Sequence, residues 1–256
     1  MSEKVIMLEK PVLHEPVLVV GLPGSGLVGK LAVDHLISLF GGKLFAEIYS
    51  YRFPPYLVIK QDGSSRLLRN ELYYLHVNDI NQDLIVLTGD AQPSDPVGQY
   101  ALSDRALDIA ESYDAKLVVS LAAYITYSLS SPPISVYGVT THSELVPKLQ
   151  QIGVKVMDEG NISGMNGLVL GLAKLRNMKG VCFLGETSGY VVDPMAAGAT
   201  LEALGRFLGF TIDVKSLQEK QKEVSEFVKS LREFQRRVEE ERAKAGEQAK
   251  DLGYIS

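Results

Sequence analysis

The sequence predicts an α/β fold, a three-layer sandwich built on a mixed sheet, followed by a long C-terminal helix. Three observations carry this. The apolar run Val17–Val20 enters a glycine-dense turn, Gly21-Leu22-Pro23-Gly24-Ser25-Gly26-Leu27-Val28-Gly29-Lys30, and a helix-periodic segment (Leu27, Val28, Leu31, Ala32, His35, Leu36, Leu39) leaves it. That order is a buried strand, a tight turn and a helix. Through the second half, short apolar runs alternate with helical patterns, which places helices on both faces of a sheet. Beyond Gly209 the composition turns to dense, balanced charge with an apolar residue at every seventh position.

Taken in order, residues 5–8 form a short strand, and 17–20 the strand that feeds the glycine turn. The helix that follows ends at Gly41-Gly42. Residues 43–51 read as a strand, Pro54-Pro55 breaks it, and 56–60 resumes with a turn at Asp62-Gly63. Residues 66–77 are expected to pair antiparallel with that predecessor. Adjacent short strands after a βα unit make the sheet mixed. Residues 84–87 form a buried strand. Ser94 or Asp95 then caps a helix to about Tyr113, with Pro96 in its first turn and Val97, Tyr100, Ala101, Leu107, Ile109 and Ala110 facing inward. Strands follow at 117–121, 136–140, 154–157 and 181–184, with helices at 143–152 and 162–175 and a loop excursion from Tyr124. Asp193-Pro194 opens a helix through Leu208.

Composition narrows the function. The chain has 256 residues, of which 46% are hydrophobic and 22% charged, enough apolar residues for a large core. A net charge of −5 gives no support for a nucleic-acid partner or an anionic membrane. The single cysteine, Cys182, excludes an internal disulfide framework and a cysteine-rich metal site. No apolar stretch reaches ~18 residues and no signal pattern opens the chain, so the expected location is the cytoplasm, with no membrane partner.

Two phosphate motifs are nearly spelled in the glycine turn. Gly24-x-Gly26-x-x-Gly29 fits a dinucleotide fingerprint, for which Glu47 is the nearest ribose acid, inside a strand rather than at its end. Gly24-x-x-x-x-Gly29-Lys30 fits the first part of a P-loop, but Leu31 stands where the hydroxyl for magnesium belongs. The plainer reading is a close strand–helix crossing. The four histidines are scattered in no zinc spacing, no serine sits in a nucleophile elbow, and His35 falls on the apolar side of its helix as a core residue. No cofactor, metal or catalytic residue is assigned. Asp90 and Glu186 each follow an apolar strand, where open α/β sheets bind ligands. Together with Gly24, Ser25 and Gly26 they define the alternative, a small-molecule enzyme or ligand-binding protein.

Gly21 through Gly29, then Gly89-Asp90-Ala91-Gln92-Pro93, then Leu184-Gly185-Glu186-Thr187-Ser188-Gly189-Tyr190 with Asp193-Pro194, resemble the signature blocks of the proteasome assembly chaperone family in its archaeal branch. The resemblance spans about Val5 to Phe210. It implies a fold like that of nucleoside phosphorylases, no catalytic activity, assembly with itself or a paralogue, and binding to proteasome subunits or the core particle. The expected organisation is an α/β domain over 1–210 and a helix and tail over 211–256.

The helix carries Leu217, Val224, Leu231 and Val238 at seven-residue spacing, with Phe227 and Phe234 between them. This narrow stripe packs either on its own domain or on another subunit, and the expected assembly is a homo-oligomeric ring. Proteasome activators end in a hydrophobic residue, a penultimate tyrosine and a free last residue that enter pockets between α subunits. The ending Leu252-Gly253-Tyr254-Ile255-Ser256 is similar, with the tyrosine one place early and glycine in the hydrophobic slot. Tyr254, Ile255 and Ser256 are the candidate docking residues for proteasome α subunits.

Overall fold

Nine strands form one mixed sheet, with β2 (Val17–Val20) in its middle. The structure, a computed structural model, describes residues 3–126, 133–227, 229 and 230. β2 lies parallel to β7 (Asp83–Gly89) on one side and to β8 (Leu117–Ile125) on the other, and β8 is parallel to β11 (Lys179–Thr187). β1 (Lys4–Met7), β3 (Lys43–Tyr49) and β6 (Asn70–His76) extend the sheet antiparallel beyond β7. β9 (Val136–Thr140) runs antiparallel to β11, and β10 (Lys155–Val156) closes the far edge.

Every residue of β2 is buried, because Leu18 and Val20 face one layer of the core and Val17 and Val19 the other. A strand buried on both faces loses the alternation of a half-exposed one and becomes a continuous apolar run. On the first face lie α2 (Pro96–Ser112) and α4 (Met165–Leu175), through Leu102, Ala106, Val169 and Leu170. On the second lie α1 (Val28–Phe40), α3 (Val146–Gln151) and α5 (Pro194–Leu208), through Val33, Leu36, Leu149 and Leu201. Each fully buried leucine or valine contributes roughly 1.5–3 kcal/mol. The expected three layers and mixed sheet are therefore present. Cys182 lies wholly inside the core, where burial pushes its thiol up to about 12.

Three local expectations are corrected. Residues 66–77 are two strands rather than one: β5 (Ser65–Leu67) pairs with β4 (Leu57–Ile59) in a separate two-stranded ribbon, and β6 pairs with β3 and β7. The chain breaks between them because Leu68 turns into the core while the Arg69 side chain binds Glu47 and Glu71. Val97 and Tyr100 face solvent. A Cβ on Gly98 would press on Arg52 and Pro93, so that closely packed face, continued by Leu102, Ala106 and Ala110, rotates Val97 and Tyr100 outward. His35 is half-buried and works as a clasp rather than a core residue. Its Nε2 lies 2.6 Å from the Asp213 carbonyl oxygen and its Nδ1 3.1 Å from Ser216 Oγ.

That clasp seats the C-terminal segment. Ile212, Val214 and Leu217 join the second core layer, with Gly198 of α5 against Val214 and Leu217. Helical backbone runs over 215–227. Along the stripe Leu217 is buried, Val224 half-buried and Phe227 67% exposed, so its described part leaves the body as it proceeds. Leu231, Phe234, Val238, Tyr254, Ile255 and Ser256 lie outside the described residues. Among the described residues no helix is long and apolar enough to cross a membrane.

Candidate functional site

β2 and β7 are adjacent and parallel, and the helices that follow them, α1 and α2, pack on opposite faces. Their carboxyl ends therefore form a topological switch point, where open α/β sheets bind ligands. The glycine turn sits there, and its entry at Leu22 and Pro23 is tied from within. Asn166 of α4 accepts from the Leu22 amide at 3.0 Å and donates to the Leu22 carbonyl at 3.1 Å. Gln92 donates to the Pro23 carbonyl at 2.6 Å and accepts from the Met165 amide at 2.7 Å. An anion in a glycine loop is held by free backbone amides. Here the Leu22 amide, and the Met165 amide that begins α4, are taken by the protein's own carboxamides.

The rest of the turn is fixed by packing. A Cβ on Gly29 would run into the Leu121 carbonyl oxygen, and one on Gly21 into the Gly29 carbonyl, so α1 crosses β2 and β8 in backbone contact. Gly26 has φ 60, the left-handed region that favours glycine, and its carbonyl accepts from the Asp193 amide at 2.9 Å. Asp193 also caps α5 through the Ala196 amide at 3.0 Å and accepts from Thr187 Oγ1 at 2.7 Å. The three signature blocks, remote in sequence, thus meet at one end of the sheet, joined by the Gln92–Pro23 and Asp193–Gly26 hydrogen bonds.

The residues that a nucleotide would require are committed elsewhere. Glu47 lies on β3, three strands from β2 across β6 and β7, and is paired with Arg69. Lys30 Nζ contacts Asp34 at 2.7 Å and Thr88 at 3.2 Å. Asp90 receives both guanidinium nitrogens of Arg66, at 2.5 and 2.9 Å, and the Arg69 amide at 3.0 Å. Burial raises its pKa, but the Arg66 and Arg69 hydrogen bonds outweigh this and hold the carboxyl below its usual range. Glu186 belongs to β11, three strands from β7, a separation of ~14 Å across the sheet. The structure does not bring Asp90 and Glu186 together as an acid–base pair.

Against the turn lies a cleft of about 670 Å³, lined by Gly24 and Ser25 of the turn, Gln92 and Asn166 of the clamp, and Tyr124 and Glu159 among others. Neither Asp90 nor Glu186 lines it. The Tyr124 and Tyr137 rings stack along this end of the sheet at 4.2 Å. The loop from Thr187 to Asp193, braced at both ends, holds Tyr190, Val191 and Val192 outward. A Cβ on Gly189 would touch Ile125, which places the partly exposed Ile125 against this apolar tip. Among the described residues no group of three or more His, Cys, Asp or Glu side chains could hold a metal ion.

The Gln92–Asn166 clamp was not foreseen. Its partners lie 69 and 144 residues away, so no local pattern marks it, although Gln92 stands inside one of the quoted blocks. The Arg66–Asp90 and Arg69–Glu47 pairs, 24 and 22 residues apart, carry no local signal either.

Comparison with known proteins agrees with this geometry. The model of the PAC2 family matches residues 18–232. An uncharacterised protein of Methanocaldococcus jannaschii is 36% identical, over 95% of this chain and 93% of its own length. The Pyrococcus furiosus protein PbaB, described as an archaeal proteasome activator, superposes with a TM-score of 0.85 at 34% identity, covering 90% of this chain and 99% of that one. Pyrococcus furiosus PbaA, described as an archaeal homologue of proteasome-assembly chaperone, gives 0.74 at 27% identity over 98% and 99%. The match of a family model to most of the chain, together with a solved relative alike over nearly its whole length, establishes that this protein belongs to the PAC2 family.

Proposed function

We propose that this protein is a non-catalytic assembly chaperone or adaptor for the proteasome, acting in the cytoplasm. In this reading it self-assembles, or pairs with a paralogue, through the α/β body over 1–210. The helix and tail over 211–256 then reach proteasome α subunits or the core particle. The observation that carries the reading is the likeness, over nine-tenths of the chain, to a protein described as a proteasome activator. The tied entry to the glycine turn supports it, because the Leu22 and Met165 amides beside the turn are used internally. So does the stripe that passes from buried Leu217 to exposed Phe227, aiming the helix away from the body.

Immobilised protein should retain proteasome α subunits or core particle from a native lysate, identified by mass spectrometry. Stimulation of peptide hydrolysis by the unaltered chain is expected to be weak, because Tyr254 is misplaced by one residue. A repaired ending, with Gly253→Leu and Ser256 deleted, should dock better. Strong stimulation by the unaltered chain, lost on Tyr254→Ala, would show that the native ending docks as it stands. Absence of proteasome components from the retained fraction would count against the proposal.

The 670 Å³ cleft is the one observation that favours a ligand-binding protein. Micromolar affinity for ATP or NAD in calorimetric titration would promote that reading above the first.

A further inference from the structure

The ribbon of β4 and β5 is inverted relative to an ordinary surface hairpin. Leu57, Ile59 and Leu67 share one face and Val58 and Arg66 the other, because the register pairs Leu57 with Leu67 and Val58 with Arg66. The inward face is held by Val58 packing on the core and by the Arg66–Asp90 ion pair. The outward face is apolar but for Ser65, which pairs with Ile59: Leu57 is 57% exposed, Ile59 74% and Leu67 62%. A surface ribbon with one solvated face normally puts its polar residues there. Two-stranded ribbons are marginal in water, and this one has spent its charged residue inward.

The exposed face is continuous with more apolar surface. Leu57 and Leu67 border a groove of about 710 Å³ whose far wall is Ile6 of β1 and Tyr49 of β3. Tyr51, 78% exposed, and Tyr56, 68% exposed, flank it beside Pro54 and Pro55. At ~200 Å² for each large side chain, these five exposed residues present roughly 700 Å². The largest apolar patch on a typical monomer is about 300–600 Å², and one side of a standard interface is about 800 Å². Lys4 lines the groove beside Ile6, and exposed Lys60 and Asp62 follow Ile59 in the turn that joins the two strands.

We infer that the outer face of the β4–β5 ribbon, with Tyr51, Tyr56 and the groove to Ile6, is a self-association surface covered by a second copy of this chain. The size matches one side of a stable dimer contact, and the uncharged centre suits an interface that stays covered rather than one that opens and closes. A copy of the chain is the partner always present at synthesis. This rests on the self-assembly reading above and names the surface that performs it.

The full chain and the variants Ile59→Arg, Leu67→Arg and Tyr51→Glu are compared by sedimentation and light scattering. All three positions are exposed, and a wild-type circular dichroism spectrum with a cooperative melt verifies that the variants fold. The wild-type chain should form a multiple of 28.0 kDa. Each variant should shift to smaller species, with association at least about 30-fold weaker, as for loss of a central interface anchor. Folded variants that keep the wild-type mass would overturn the inference while leaving self-assembly intact, as would assembly lost only on truncation after Gly209. A wild-type chain that stays near 28 kDa would remove both.

Discussion

Gly185→Ala isolates the backbone contact that holds α5 on the sheet. Gly185 lies in β11, and a Cβ there would sit 2.7 Å from the Ala196 carbonyl oxygen and 3.1 Å from Thr200 Cγ2. Ordinary contact needs roughly 3.3–3.5 Å, so α5 must retreat by about 0.6 Å along a seam where Ala196, Ala197 and Leu201 are fully buried. Overpacking of this kind costs about 1–3 kcal/mol, offset by roughly 0.5–1 kcal/mol from the lower chain entropy of alanine. The net loss lies between about 0 and 2.5 kcal/mol, ~1 kcal/mol at mid-range. At about 2–4 °C per kcal/mol for a domain of this size, melting should fall by about 2–4 °C.

The control is Gly171→Ala, in the exposed middle of α4, where an added Cβ meets nothing within 4 Å. It should raise melting by about 1–2 °C, since helix propensity alone favours alanine by up to ~1 kcal/mol. Calorimetry on both variants makes the comparison. If Gly185→Ala melts at or above Gly171→Ala, the seam yields without cost and the packing argument fails. Because Gly198 of α5 seats Val214 and Leu217, Gly185→Ala should also make the segment beyond Phe210 more sensitive to protease.

Gly24 and Gly26 should separate: Gly24 is extended with no atom closer than 4.0 Å, so alanine there is nearly neutral, while alanine at Gly26 costs about 1–2 kcal/mol of left-handed strain, read by urea titration. Gln92→Ala leaves the Pro23 carbonyl and the Met165 amide without their partner and should lower stability by about 2 kcal/mol in the same assay. Asp90→Asn should cost about 1–2 kcal/mol at neutral pH by weakening the paired Arg66 contact. The Asp90 carboxyl is depressed in the folded state, so its contribution is present above the unfolded value near ~3.9 and fades as pH falls through the folded one. Melting curves of wild type and Asp90→Asn should therefore converge as pH falls through the depressed folded value, below the ordinary ~3.9.

What was legible in the sequence was what local patterns carry. Val17–Val20 reads as a doubly buried strand because an apolar run between turn signals has few other uses, and it is the central strand of the sheet. Asp95-Pro96 and Asp193-Pro194 read as helix starts because cap chemistry is local, and both aspartates accept the expected amide. Residues 66–77 did not read correctly, because only the tertiary pull of Leu68 and the carboxylates around Arg69 divides them. The glycine block illustrates the limit most clearly. Its letters fit a phosphate loop, and its backbone does turn at a switch point, yet whether that turn is open depends on Gln92 and Asn166 arriving from α2's approach and from α4. Those two carboxamides bond to the segment 22–23 that an anion would have approached, so the same backbone becomes a joint. A joint of this kind keeps the loop ending in Asp193 rigid through Gly26, and with it the start of α5, on which the C-terminal segment is seated. In this chain the glycine turn therefore helps to fix the platform from which the C-terminal segment leaves.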